Sequence, residues 1–170
     1  GFSAAAYQDA QGAVVLSFAQ FFQIAGPGDP NSWNSWAGQR AGIRAFVDAL
    51  PAGTAVQIVG HAQGGALASY AAYDLIQTGI VAAEDLSLTT FNGARGVPGL
   101  QASGGYDPSV VAEVDARHYR TTYDIISQTA PQVGGESFLL DPGTSAQQDF
   151  LTAGRLNTIQ QLIDGGTVSL

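Results

Sequence analysis

The spacing of apolar and polar positions changes several times along this chain, and each change marks an element. Residues 3–8 and 13–18 flank Asp9-Ala10-Gln11-Gly12, a turn-prone tetrapeptide, and together they predict a β-hairpin. Residues 26–34 are rich in Gly, Pro and Asn and predict a loop. From Ser35, a suitable N-cap, apolar side chains recur at Trp36, Ile43, Phe46, Val47 and Leu50. This is helical spacing, and Pro51 stops it. A short buried strand over 55–59 and a buried helix over 66–76, ended by Gly79, come next. The pattern then predicts a strand over 86–91 and a helix over 109–114 capped by Asp107 or Ser109. Strands over 118–123 and 136–140 and a last helix over 157–163 complete it.

Short apolar runs alternating with helical patterns are the signature of an α/β fold, here a mostly parallel sheet flanked by helices and entered through a hairpin. The chain has 170 residues, and neither an internal repeat nor a dividing linker interrupts it. One domain over 1–170 is therefore expected.

Composition narrows the function classes. Apolar residues make up 45% of the chain, which suits a packed globular domain rather than a disordered one. No stretch approaches the ~18 consecutive apolar residues of a membrane span. The start, Gly1-Phe2-Ser3, has no basic segment followed by an apolar one, as a signal peptide would. A chain without an initiator Met is expected of a mature or excised domain, with any export signal outside it. The formal charge is −8, from 14 acidic residues against six basic ones, all arginine. Those arginines are scattered and form no basic stripe, so nucleic acid is not an expected partner. The absence of cysteine excludes disulfides, thiolate metal sites and a cysteine nucleophile. A cysteine-free acidic chain is compatible with bacterial secretion, and a secreted location is the expectation.

The most informative segment runs from Val56 to Ala68, where a buried strand passes through Gly60-His61-Ala62-Gln63-Gly64-Gly65 directly into a helix. A strand that reverses this sharply forces its central residue into strained dihedrals, so the neighbours must have almost no side chain. The turn also lifts that residue beside the positive end of the following helix. This pattern is the nucleophile elbow, normally Gly-X-Ser-X-Gly, with Ala62 standing where serine belongs. An ordinary glycine-rich strand–helix turn is the plain alternative.

On this motif the chain resembles the α/β-hydrolase lipases, most closely the class 3 type and the bacterial secreted lipases. Softer likenesses lie on either side. Tyr7-Gln8-Asp9-Ala10-Gln11-Gly12 and Val14-Val15-Leu16-Ser17-Phe18 look like the hairpin that leads into the family's oxyanion loop. Leu88-Thr89-Thr90-Phe91-Asn92-Gly93 looks like the strand after the elbow helix. The stretch Tyr119-Arg120-Thr121-Thr122-Tyr123-Asp124 looks like the strand whose end carries the catalytic acid. The resemblance implies ester hydrolysis with no cofactor and no metal, acting on a small-molecule or lipid ester. It implies Ala62 at the nucleophile position, Asp124 as the acid, the Gln63 N–H as one oxyanion donor and a second donor near Phe21. Phe22 and His61 would border the substrate.

The departures are chemical. Ala62 has no hydroxyl, so no acyl-enzyme can form. The oxyanion segment reads Phe18-Ala19-Gln20-Phe21 and lacks the family's Arg, Gly and Thr. The catalytic histidine should follow the last strand, yet no histidine occurs after His118. Gly154 is the best match to that slot, with a plain turn glycine as the other reading. His61 and His118 are read as structural, and Ser69, two helical turns beyond Ala62, is too far along the helix to replace a nucleophile. Phe21, Phe22, Trp33 and Trp36 would either line an acyl pocket or simply cover the sheet. Asp141, Asp149 and Asp164 lack the spacing of a calcium loop and are read as solvated caps. Two functions stay open. One is a lipase or esterase domain disabled by a serine-to-alanine knock-out or a redesigned site. The other is a natural pseudo-hydrolase acting as a lipid- or acyl-binding or structural module of a larger secreted protein.

Overall fold

The computed structural model describes residues 2–20, 30–94, 96–122, 124, 127, 131–141 and 168–169. The predicted hairpin is present, with β1 (Phe2–Gln8) antiparallel to β2 (Val14–Gln20). Its turn is built by Asp9, whose Oδ1 accepts the N–H groups of Gln11 and Ala13, both at 2.9 Å. Gly12 closes the turn at φ 89°, a conformation that suits glycine. Helix α1 spans Pro30–Asp48 and so begins within the expected loop. Ser35 lies inside it and is not its N-cap. Proline is well suited to a first helical position, where its missing N–H is not needed. Reading Pro30 as a loop residue missed that use.

Strand β3 (Val56–His61) and helix α2 (Gln63–Gln77) follow, then β4 (Leu86–Phe91), α3 (Val97–Ala102), β5 (Asp115–Thr121), β6 (Glu136–Leu140) and β7 (Val168–Ser169). The sequence pattern missed α3, which is short and interrupted by Pro98 and Gly99. The helix expected over 109–114 is a single 3₁₀ turn at Pro108–Val111, and Asp107 caps it by accepting the Ser109 N–H. The strand expected over 118–123 starts and ends earlier, at Asp115 and Thr121. The expected last helix over 157–163 lies outside the described residues.

The strands form one sheet in the order β1-β2-β3-β4-β5-β6-β7. Strands β2 to β6 are parallel, and the antiparallel β1 and β7 flank them. This is the mostly parallel α/β sheet with an N-terminal hairpin that the periodicity predicted.

Helix α2 packs on β2, β3 and β4, and α1 packs on α2 and α3. The alternation of the strands gives that face its core: Val14, Leu16 and Phe18 from β2, Val56 and Ile58 from β3, Leu86 and Leu88 from β4, Ala116 from β5. Helix α2 is buried from Gln63 through Leu75. Its run of Gly, Ala and Ser lets sheet and helices approach from all sides, as an all-round buried helix requires. From α1, Trp36 and Val47 point into the core, but Phe46 is 43% exposed and is not the core residue its spacing suggested. On the opposite face Phe91, Tyr119 and Phe138 stack across β4, β5 and β6, with ring centroids 5.6 and 5.1 Å apart.

Candidate functional site

β3 ends at His61 and α2 begins at Gln63, so Ala62 alone makes the connection. Its dihedrals are φ 51° and ψ −124°. Among the described residues the only other non-glycine with positive φ is Asn92, at 45°. Such a conformation costs on the order of 1–3 kcal/mol and persists only where the surroundings impose it.

The end of β4 imposes it here. The Ala62 N–H donates to the Phe91 carbonyl at 3.1 Å, and the Ala62 carbonyl accepts the N–H groups of Ala94 at 2.8 Å and Gly65 at 2.9 Å. The glycines complete the grip. A Cβ on Gly60 would collide with the Gly64 carbonyl, and one on Gly64 would collide with the Phe18 carbonyl at the end of β2. A Cβ on Gly65 would sit 2.5 Å from the Gly93 Cα. The sequence motif is thus explained by contact: strand ends β2 and β4 press against the first turn of α2 with no space for side chains between them.

Ala62 is half-buried at the C-terminal edge of the parallel strands, beside the N-terminus of a 15-residue helix. Gln63 is the first residue of α2 and is buried. Its N–H belongs to the turn that carries the positive end of the helix dipole, the place where a developing oxyanion is best stabilised. The segment expected to supply the second donor runs as strand through Gln20. Phe21 and Phe22 lie outside the described residues.

Asp124 lies three residues past β5 and is 5% exposed. Its N–H donates to the Thr121 carbonyl at 3.2 Å, and its Oδ2 accepts the Ser127 N–H at 2.8 Å. Asp124 follows β5 as Ala62 follows β3, along the same edge of the sheet. Two strand spacings separate those strands, roughly 10 Å. The strand between them is followed directly by Asn92, which sequence reasoning passed over. Asn92 is 1% exposed, its N–H donates to the Tyr119 carbonyl at 2.7 Å, and its Oδ1 accepts the Thr121 N–H at 2.8 Å. It therefore ties the end of β4 to the end of β5, between Ala62 and Asp124. The Asn92-Gly93 dipeptide was the available signal, since asparagine tolerates the left-handed region and marks a turn.

The remaining candidates separate by environment. His118 on β5 is 2% exposed, with Nδ1 2.8 Å from the Thr90 hydroxyl and Nε2 3.1 and 3.3 Å from the carbonyls of Gly134 and Val133. Two carbonyls around Nε2 require the proton there, so Nδ1 accepts from Thr90. Burial pushes its pKa down, against the opposing pull of those carbonyls. It is a neutral stitch between β4, β5 and the segment before β6. His61 is the half-buried last residue of β3, in register with Phe91. Ser69 is fully buried and donates to the Gly65 carbonyl at 2.9 Å. Trp36 is fully buried edge-on to Phe18, and Trp33 packs edge-on to Tyr70. Trp36 thus covers the sheet at β2, and Trp33 packs on α2. Gly154, Asp149 and Asp164 lie outside the described residues, and Asp141 is exposed. Among the described residues no group of three or more carboxylates and histidines could hold a metal ion. None of the described helices is long and apolar enough to cross a membrane.

Comparison with known proteins agrees with this architecture. Residues 2–101 match the family model Lipase (class 3). In three dimensions the chain is similar to a lipase from Rhizopus microsporus var. chinensis at 18% identity and a TM-score of 0.56, covering 82% of this chain and 56% of that one. It is similar to a mutant form of MDLA from Penicillium cyclopium at 19% identity and a TM-score of 0.59, covering 84% and 59%. It is also similar to Rhizomucor miehei lipase in its propeptide complex, at 17% identity and a TM-score of 0.53, covering 75% and 49%. At these identities the likeness is one of fold, and the chain spans about half to three-fifths of each of these structures. No curated protein sequence matches.

Proposed function

Because the chain belongs to the class 3 lipase family, we propose that it is a lipase- or esterase-type domain with Ala62 at the nucleophile position, inactive as it stands. The observation that carries this reading is the backbone of Ala62. A residue with φ 51° is held by two strand ends at the mouth of a helix, in the one place where a hydroxyl would meet a carbonyl carbon. With a methyl group there, the covalent step is lost. Asp124 takes the part of the acid that orients a histidine, and Gly154 the position from which that histidine would come. The Gln63 N–H is one oxyanion donor, with Phe21, Phe22 and His61 around the substrate. The ligand is a small-molecule or lipid ester.

Restoring the triad tests the assignment. The protein as it stands should hydrolyse an activated short-chain ester at background rate and without a burst, because a burst needs a covalent intermediate. Ala62→Ser alone should add little, for want of a base. Ala62→Ser with Gly154→His should exceed the sum of the two single changes, and adding Asp124→Ala should remove most of the gain. A burst from the unmodified chain would overturn the inactive reading. A soluble, folded double variant with no activity would instead favour an acyl-ligand binding module.

A further inference from the structure

A cleft lies on the helical side of the molecule, away from the turn at Ala62. It has a volume of 230 Å³ and is lined by Trp33, Arg40 and Arg44 of α1, by Tyr73, Asp74 and Gln77 of α2, and by the turn that follows α3. The α1 residues are spaced by seven and by four, so they fall along one line of that helix. Asp74 is 12 residues beyond Ala62 on or beside the same helix, about 18 Å at 1.5 Å per residue. A ligand here would not reach the elbow.

The cleft concentrates positive charge in a chain that has little. It holds two of the six arginines of a protein with a formal charge of −8. Among the described residues only one carboxylate lines the cleft with them, and that one is already used. Asp74 is 6% exposed, and its two oxygens accept from Arg44 Nη2 at 2.6 Å and Nε at 2.7 Å. This side-on pairing leaves Arg44 Nη1 over. Arg40 is half-buried and makes no hydrogen bond or ion pair with any described residue. Its whole five-donor fork is available.

The other groups tip the balance the same way. The Tyr73 oxygen accepts the Asp107 N–H at 3.0 Å, which leaves its proton to give. Ser103 spends its proton on the Leu100 carbonyl, at 2.7 Å. The Gln77 amide offers two more donors. The cleft is therefore rich in donors, with its carboxylate acceptors consumed, and the complement of such a site is a ligand that only accepts. Its volume equals that of about eight water molecules, at ~30 Å³ each. That admits a tetrahedral oxyanion with a small polar body. Two guanidinium groups entering from different turns of α1 suit three or four oxygens better than the two of a carboxylate.

We infer that the cleft between α1, α2 and the turn after α3 is a binding site for a phosphate group, held by Arg40 and Arg44. The group could be free phosphate or the phosphate of a small polyol monoester, and both carry the same oxygens to the arginines.

Calorimetric titration of the intact chain with inorganic phosphate, with glycerol phosphate and with acetate tests this without reference to ester hydrolysis. Saturable binding of either phosphate at millimolar concentration is expected, with acetate weaker. Tighter binding of glycerol phosphate identifies a monoester site, and equal binding a site for the free ion. Arg40→Gln should weaken phosphate about tenfold or more, the worth of charge-assisted hydrogen bonds to one guanidinium. Arg40 makes no hydrogen bond or ion pair with a described residue, so its replacement breaks none that holds the fold. Arg40→Lys should lie between, keeping the charge and losing the fork. Gln77→Glu, at an exposed position, should abolish binding by placing a carboxylate among the donors. No saturable phosphate binding, acetate binding as tight as phosphate, or an Arg40→Gln protein that binds as before would each overturn the proposal.

Discussion

Replacing Ala62 by glycine should stabilise this protein, although the same change elsewhere in it would do the reverse. Ala62 holds φ 51° and ψ −124°, a region that L-residues with a Cβ avoid. Relief of that strain is worth about 1–3 kcal/mol. Against it stands the greater freedom of glycine in the unfolded chain, about 0.5–1 kcal/mol. The methyl group is only half-buried, so its loss costs well under the ~0.8 kcal/mol of a fully buried CH₂. The balance is a gain of about 1 kcal/mol, or a rise in melting temperature of roughly 2–4 °C for a domain of this size. Denaturant melts of Ala62→Gly beside Ala72→Gly supply the comparison. Ala72 is fully buried inside α2, where glycine should cost about 1 kcal/mol or more. If both variants lose stability alike, Ala62 is not strained and the conformational argument for the site fails.

Other consequences follow from the same contacts. Gly64→Ala drives a methyl group into the Phe18 carbonyl, and since backbone lies on both sides, the loss should reach or exceed the 1–3 kcal/mol of ordinary overpacking, seen in a denaturant melt. Asn92→Ala leaves the buried Thr121 N–H without its Oδ1 acceptor and puts a Cβ-bearing residue without a polar tip at φ 45°. A loss of roughly 2–4 kcal/mol is expected, with Asn92→Gly milder because it removes the side-chain hydrogen bonding without adding backbone strain. His118 is held neutral by burial, so its pKa in the folded state lies below the value of the unfolded chain. Its contribution is therefore complete above about pH 6.5 and is lost as pH falls through the folded value. Stability should decline on acidification below pH 6.5, with a shallower slope in His118→Gln; an unchanged slope would refute the assignment.

The elements that could be read from the sequence are those whose pattern comes from a single physical cause. Leu86–Phe91 has the bounds that alternation predicts, because one face of the strand is buried, and Glu136–Leu140 has those of a short run ending in apolar residues. The hairpin followed from turn chemistry at Asp9 and Gly12. The start of α1 was lost because proline and asparagine, read as loop residues, also serve at the first turn of a helix. Phe46 fits the helical period, yet its side of α1 faces the groove beside β1 rather than the core. Period alone does not say how far a neighbouring layer extends. At the site, Gly60, Ala62 and Gly64 stood out because close backbone approach excludes other residues. Asn92 did not, since its role depends on which strand lies beside β4, and that is a property of topology.

The separation of shape from chemistry at residue 62 has a further consequence. Nothing in the grip on Ala62 involves its side chain: the Phe91 carbonyl and the Ala94 and Gly65 N–H groups all bind its backbone, and the close contacts come from Gly60, Gly64 and Gly65. Neighbouring strand ends thus determine the strained turn, whatever residue occupies it. A serine placed at 62 should meet the same backbone as the alanine, with its Oγ added where the methyl group already points. An activity change on Ala62→Ser then reports the presence or absence of a base and an acid around that oxygen, rather than a refolded turn. Because Asp124 is anchored separately, through Thr121 and Ser127 on the far side of Asn92, its removal tests the second half of the constellation without disturbing the first. The two halves meet only through a histidine, so the effects of restoring Ala62→Ser and Gly154→His must be non-additive if these positions form one site. Additive effects would mean that residues 62 and 154 do not share a substrate.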